Sequence, residues 1–166
     1  MKLIFSYGKR VEAGLERLKA FKEVAARHGM ETGYVEYDFE ASGDERAAKL
    51  LDIVKKEPDP SGLVLVGSSM GAYGSLLASM QVPVKGLFLI SPALFMYDVR
   101  DYRLGGAEKT FFVVGWKDTV IPRDKVLDYV KSVNGELLVV DNDHLMFSSL
   151  PLLTALFDEF LTELEG

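Results

Sequence analysis

Three residues of this chain have the types and spacing for nucleophilic acyl chemistry. Each stands just past a short apolar run. Ser69 is the centre of Gly67-Ser68-Ser69-Met70-Gly71, the pattern G-x-S-x-G. The run Leu63–Val66 leads into it, and helical sequence follows through Leu76-Leu77-Ala78. A serine at a tight strand–turn–helix junction exposes its hydroxyl, and small neighbours let strand and helix approach. The helix starting there puts free N–H groups and a positive dipole end beneath the site, which favours developing negative charge. The spacing selects Ser69 as nucleophile and leaves Ser68 as a structural polar group. A phosphate loop fits less well. No Gly-Lys-Ser/Thr follows, and Gly67, Gly71 and Gly74 do not match G-x-G-x-x-G. A plain strand-to-helix turn is also compatible with the pentapeptide taken alone.

A serine hydroxyl is a poor nucleophile without a base. The chain has two histidines. His28, in Ala26-Arg27-His28-Gly29, ends a helical pattern before a glycine stop, and reads as a surface residue at a helix C-terminus. His144, in Val140-Asp141-Asn142-Asp143-His144, follows the last apolar run and is the expected base. An acid must hold the imidazole's tautomer and support its charged form. Asp118 lies just past the run Phe111–Val114 and fits that role. Asp141 and Asp143 sit too near His144 in sequence to reach its far nitrogen easily, and read as a solvated turn. The order is Ser69, Asp118, His144, with spacings of 49 and 26 residues. Acyl transfer also needs donors for the developing oxyanion. The Met70 N–H is one. The other is expected from Phe5-Ser6-Tyr7-Gly8-Lys9, where Gly8 permits a tight turn and Lys9 could direct its N–H inward.

The elements that must position these residues show in the patterning. Six short apolar runs alternate with helical segments: Leu3–Phe5, Tyr34–Tyr37, Leu63–Val66, Leu87–Ile90, Phe111–Val114 and Leu137–Val140. Continuous rather than alternating runs suit strands buried on both faces. The segments 44–56 and 123–133 are amphipathic. So is the last segment, with Leu153, Leu156, Phe157, Phe160, Leu161 and Leu164 in one stripe and Pro151 near its start. Such repetition implies an α/β fold: a three-layer sandwich with a parallel sheet and helices on both faces. Each of the three chemical residues then lies at the sheet's C-terminal edge, where open parallel sheets bind ligands.

Composition narrows the classes. At 166 residues one domain is expected, spanning 1–166, with no linker or repeat. A net charge of −6 gives no basic excess to hold a phosphate backbone, so no nucleic-acid partner is expected. The absence of cysteine excludes disulfides and thiol chemistry and fits a cytoplasmic location. The apolar stretch after Met1-Lys2 is too short for a signal peptide. The uncharged stretch from Ser61 to Val84 has the length of a membrane span, but five Gly or Pro and five Ser argue against one.

On Gly67-Ser68-Ser69-Met70-Gly71, Gly115-Trp116-Lys117-Asp118 through Pro122, and Asp143-His144, the chain resembles the α/β-hydrolase family along nearly its whole length. More narrowly it is similar to small capless bacterial hydrolases whose first strand ends in Phe-Ser-His-Gly-Lys. Here Tyr7-Gly8 stands where they carry His-Gly. The resemblance implies hydrolysis of an acyl substrate without metal or organic cofactor, and a six-stranded sheet ordered 2-1-3-4-5-6, two strands short of the family's usual eight. Caps in this family are usually inserted at or near the connection Ser91 to Lys109. Its 19 residues are too few for a lid domain but enough for one pocket wall. Pocket candidates are Tyr7, Tyr73, Phe95, Trp116 and Met146. The expected activity is hydrolysis of a carboxylic ester of a small or extended substrate through an acyl-enzyme on Ser69. A thioesterase, an amidase or a non-catalytic ligand-binding protein on the same fold are the alternatives, and the oligomeric state is left open.

Overall fold

The computed structural model describes residues 1–9 and 11–166. Strands and helices run in the order β1 (Lys2–Ser6), α1 (Val11–Arg27), β2 (Glu31–Tyr34), α2 (Gly43–Lys56), β3 (Leu63–Ser68), α3 (Met70–Ser79), β4 (Val84–Ile90), β5 (Ala107–Gly115), α4 (Arg123–Ser132), β6 (Glu136–Val140) and α5 (Leu150–Glu165). All strand pairs are parallel, in the order β2-β1-β3-β4-β5-β6. This is the expected three-layer arrangement and strand order.

The central strands are apolar because they are buried on both sides. In β3, Leu63 and Leu65 join a core formed with α2, α3 and α4, while Val64 and Val66 join a second core with α1 and α5. In β4, Leu87 and Leu89 face the first core, and Phe88 and Ile90 the second. The Phe88 ring packs edge-on against Phe21, Phe157 and Phe160, tying α1 and α5 to the sheet. Helix α2 begins with a capping box. The Ser42 side chain accepts the Glu45 N–H at 3.2 Å, and the Glu45 carboxylate accepts the Ser42 N–H at 2.7 Å.

Two expectations need correction. The second strand occupies Glu31–Tyr34, not 34–37. It is an edge strand, paired only with β1, and it leaves much of its surface in water. It therefore needs no apolar run. The run that suggested it belongs to the following loop, where Val35 is buried and the Tyr37 hydroxyl meets Ser6 Oγ at 2.6 Å. His28 is not a free surface residue. Helices α1 and α5 pack on one core, which brings acids of α5 to the end of α1. The His28 side chain is only 11% exposed, with Nε2 at 3.0 Å from Asp158 Oδ1 and Nδ1 at 3.1 Å from Glu165 Oε2.

Candidate active site

Ser69 joins β3 to α3 with φ 56° and ψ −118°. A side-chain-bearing residue pays steric strain there, so the surroundings must enforce it. Gly71 shows how. A Cβ at Gly71 would lie 2.2 Å from the Ser6 carbonyl oxygen, so only glycine lets α3 start this close to β1. The serine backbone is then held on both sides. Its N–H donates to the Ile90 carbonyl at 2.9 Å, and its carbonyl accepts from Tyr73 and Ala93, both at 3.1 Å.

Asp118 and His144 leave neighbouring strands, β5 and β6. Their loops are joined by backbone bonds, from the Trp116 N–H to the Val140 carbonyl (2.7 Å) and from the Lys117 N–H to the Asn142 carbonyl (3.0 Å). Asp118 Oδ2 lies 2.7 Å from His144 Nδ1, and His144 Nε2 lies 3.0 Å from Ser69 Oγ. The other carboxylate oxygen accepts N–H bonds from Val120 at 2.9 Å and Ile121 at 3.2 Å. Burial pushes the Asp118 carboxyl up, but the bonds from the His144 ring and these two N–H groups outweigh it. The carboxyl is held below its ordinary value. An ionised carboxylate only accepts, so Nδ1 carries the hydrogen and the Nε2 lone pair faces the serine O–H. The three expected residues are thus bonded in series. Asp143 and Asp141 are employed elsewhere. Asp143 Oδ1 accepts from the Leu145 and Met146 N–H groups at 3.0 and 3.1 Å, and Asp141 pairs with Lys117 Nζ at 2.8 Å.

The loop after β1 lies over the serine. A Cβ on Gly8 would stand 3.3 Å from Ser69 Oγ and 3.7 Å from the Met70 nitrogen. Among the described residues no backbone acceptor takes the N–H of Met70 or of Lys9. Arg46 on α2 supports this loop. It is 2% exposed and donates to five carbonyl oxygens. They are Ala41 at 3.0 Å, Tyr7 at 3.3 Å, Gly8 at 3.5 Å, Asp38 at 3.1 Å and Phe39 at 3.4 Å. Arg46 stands outside every motif in the sequence. Its signal is a charge on the apolar period of α2, one turn before Leu50, where a buried cation needs a dedicated cage of acceptors.

Beside the serine lies a cavity of about 440 Å³, lined by Ser69, Met70 and His144 together with Tyr7, Lys9, Arg17, Ala93, Met96, Tyr97, Val120 and Leu145 among others. The loop 91–106 does supply one wall, through Ala93, Met96 and Tyr97. Of the five pocket candidates, however, only Tyr7 lines the cavity. Tyr73 turns away toward α2, where its hydroxyl donates to Asp44 Oδ1 at 2.5 Å. Phe95 packs against Tyr102 and Tyr129. Trp116 is 55% exposed under the Arg123 guanidinium, 4.7 Å from its ring centre. Met146 is buried in the core beneath α5. Apolar type near a strand end did not reveal which way each loop residue turns. Among the described residues no group of three His, Asp or Glu side chains is placed to hold a metal ion, and no helix is long and apolar enough to cross a membrane.

No protein-family model and no curated protein sequence matches the chain. Solved structures do. A Xanthomonas campestris pv. campestris protein assigned to the alpha/beta hydrolase superfamily superposes with a TM-score of 0.86 at 24% identity, covering 98% of both chains. Est1E from Butyrivibrio proteoclasticus gives 0.75 at 19%, over 98% of this chain and 87% of its own. A Xanthomonas campestris serine hydrolase without lid gives 0.72 at 17%, over 97% of this chain and 81% of its own. At these identities the likeness concerns architecture. The chain has the α/β-hydrolase fold.

Proposed function

We propose that this α/β-hydrolase fold serves as a serine hydrolase that cleaves a carboxylic ester through an acyl-enzyme on Ser69. The observation that carries this reading is the unbroken series Asp118–His144–Ser69, with the serine on a strained turn beside an open cavity. His144 Nε2 takes the hydroxyl proton as Ser69 Oγ bonds to the acyl carbon. The carbonyl electron pair moves onto oxygen, where the Met70 and Lys9 N–H groups receive it. Collapse of that intermediate breaks the ester C–O bond, and the alkoxide leaves as alcohol with the proton from His144. Water then gives a proton to His144 and its hydroxyl attacks the acyl carbon. The second collapse releases the carboxylic acid and returns the proton to Ser69. Asp118 stays ionised throughout and supports the imidazolium. The composition without cysteine supports a cytoplasmic location.

A fluorophosphonate probe tests this directly. It is expected to label the wild-type protein on Ser69, and the Ser69→Ala protein is expected to stay unlabelled and to lose about 10⁶-fold in kcat. Equal labelling of both proteins would overturn the assignment. A panel of matched ester, thioester and amide substrates, compared by kcat/KM, is expected to rank the ester first.

A further inference from the structure

The molecule buries two arginines near the site, and they are bonded very differently. Arg46 is caged by five carbonyl oxygens and lies over the Tyr37 ring. Arg17, on α1, is 5% exposed, yet among the described residues it makes one hydrogen bond, from Nη1 to the Leu145 carbonyl at 3.2 Å. Among the described residues its buried Nε has no partner, and no carboxylate lies within ion-pair distance. Burial lowers this guanidinium to about 10, so it is still a cation at neutral pH. A buried, charged, under-bonded side chain is costly unless something else completes it. Arg17 lines the same cavity as Ser69 and His144.

The rest of the cavity points to what completes it. Lys9 is a second cation on the wall, with its Nζ over the Phe39 ring rather than on a carboxylate. Among the described lining residues the one carboxylate is Asp143, whose Oδ1 is turned to the Leu145 and Met146 N–H groups of its own loop, so two cations stand against one anion. In a protein of net charge −6, the described lining of the cavity at the serine thus carries an excess of one positive charge. The lining also includes the apolar side chains of Met70, Ala93, Met96, Val120 and Leu145. We propose that the substrate is an acyl ester carrying a carboxylate a few bonds from the scissile carbonyl, and that Arg17 receives that carboxylate. This rests on the serine-hydrolase reading and names its substrate class.

The test compares charged and neutral esters of matched shape. For the acyl half, the pair is 4-nitrophenyl hemiglutarate and 4-nitrophenyl valerate. For the alcohol half, it is the butyrates of 4-hydroxybenzoate and 4-hydroxybenzamide. In the wild type, kcat/KM for one charged member is expected to exceed its neutral partner by at least about tenfold, the scale of a hydrogen bond to a charged group. Whichever pair responds identifies the half that carries the carboxylate. Arg17→Met is expected to collapse that ratio to near one, and Arg17→Lys to retain part of it. An arginine that only ties α1 to the Leu145 carbonyl would lower both members equally and leave the ratio intact. A wild type without charge preference in either pair, or a preference that survives Arg17→Met, overturns the proposal. Binding separates this from failure of the hydrolase reading. With the Ser69→Ala protein, two matched amide pairs are compared, the monoanilide of glutaric acid with valeranilide and 4-butyramidobenzoate with 4-butyramidobenzamide. In one of the pairs the charged member is expected to raise the melting temperature and the neutral member to leave it unchanged, whether or not any ester is turned over. Equal responses within both pairs would likewise overturn the anion site.

Discussion

The two edges of the sheet solve their turns with different residues. At the edge where the strands begin, the left-handed positions fall on Gly29 (φ 63°), Gly105 (φ 110°) and Asn134 (φ 52°). These are the residue types that adopt such angles cheaply. At the edge where the strands end, left-handed angles fall on Ser69 (φ 56°), Ser91 (φ 44°), Phe95 (φ 65°) and Met146 (φ 55°). Each costs of order 1–2 kcal/mol that a glycine would avoid. Of the four, Ser69 also lines the cavity, and a glycine there would remove both the strain and the hydroxyl that meets His144 Nε2.

The two histidines repeat the contrast. His28, at the first edge, has a carboxylate at each ring nitrogen. Each carboxylate can only accept, so both ring nitrogens are placed to donate, and the pairing raises the ring's affinity for its proton. His144 has a carboxylate at one nitrogen and a hydroxyl at the other, so one lone pair stays available. Having an acid neighbour does not make a histidine a base; having only one does.

The sharpest way to break this contrast is Asp118→Asn. It preserves shape but unsettles the His144 tautomer, and kcat is expected to fall about 10⁴-fold while the folded fraction measured by circular dichroism changes little. Next comes Arg46→Met, which strands the carbonyls of the loop over Ser69. A loss of about 3 kcal/mol in urea unfolding is expected, together with a lower kcat/KM. At the other edge, Gly105→Ala forces a Cβ into φ 110°, with open space around it. It is expected to cost about 1 kcal/mol in the same unfolding assay and to leave kcat/KM unchanged.

His28→Gln is the smallest effect, and its sign is set by the ion pair. Burial of the ring opposes its charge, but the bonds to Asp158 and Glu165 outweigh this and raise the His28 value above the ordinary one. A raised histidine contributes stability fully below its unfolded value, about 6.5, and loses it as pH climbs through the folded value. The melting-temperature difference between wild type and His28→Gln is therefore expected to be largest near pH 5.5 and to fade toward alkaline pH. It amounts to a few degrees at most, because the partners are solvent-exposed. A difference that grows with pH would contradict the pairing.

Much of the site was legible because its logic is one-dimensional. Ser69, Asp118 and His144 each follow a strand, and in a parallel sheet every strand end reaches the same edge. Strands β1, β3, β4 and β5 were legible because double burial writes a continuous apolar run. An edge strand is not bound to carry one: β6 has such a run although it is half exposed, whereas β2, Glu31-Thr32-Gly33-Tyr34, has none. The pocket walls were not legible either. Whether Met96 or Phe95, Leu145 or Met146 faces the cavity depends on how a loop turns over the sheet, and apolar type is the same for both.

The sequence by itself determined the architecture, the order of the strands' chemistry and the identity of the three bonded residues, because these follow from periodicity and from positions relative to strand ends. Only the tertiary structure decided what surrounds them. Arg17 and Arg46 are the same residue type, each on the inner face of a helix, and nothing local distinguishes them. One is met by five carbonyls and the other by a cavity. That difference arises where separate loops converge, and a charge's partners are fixed by distance in space rather than by distance along the chain.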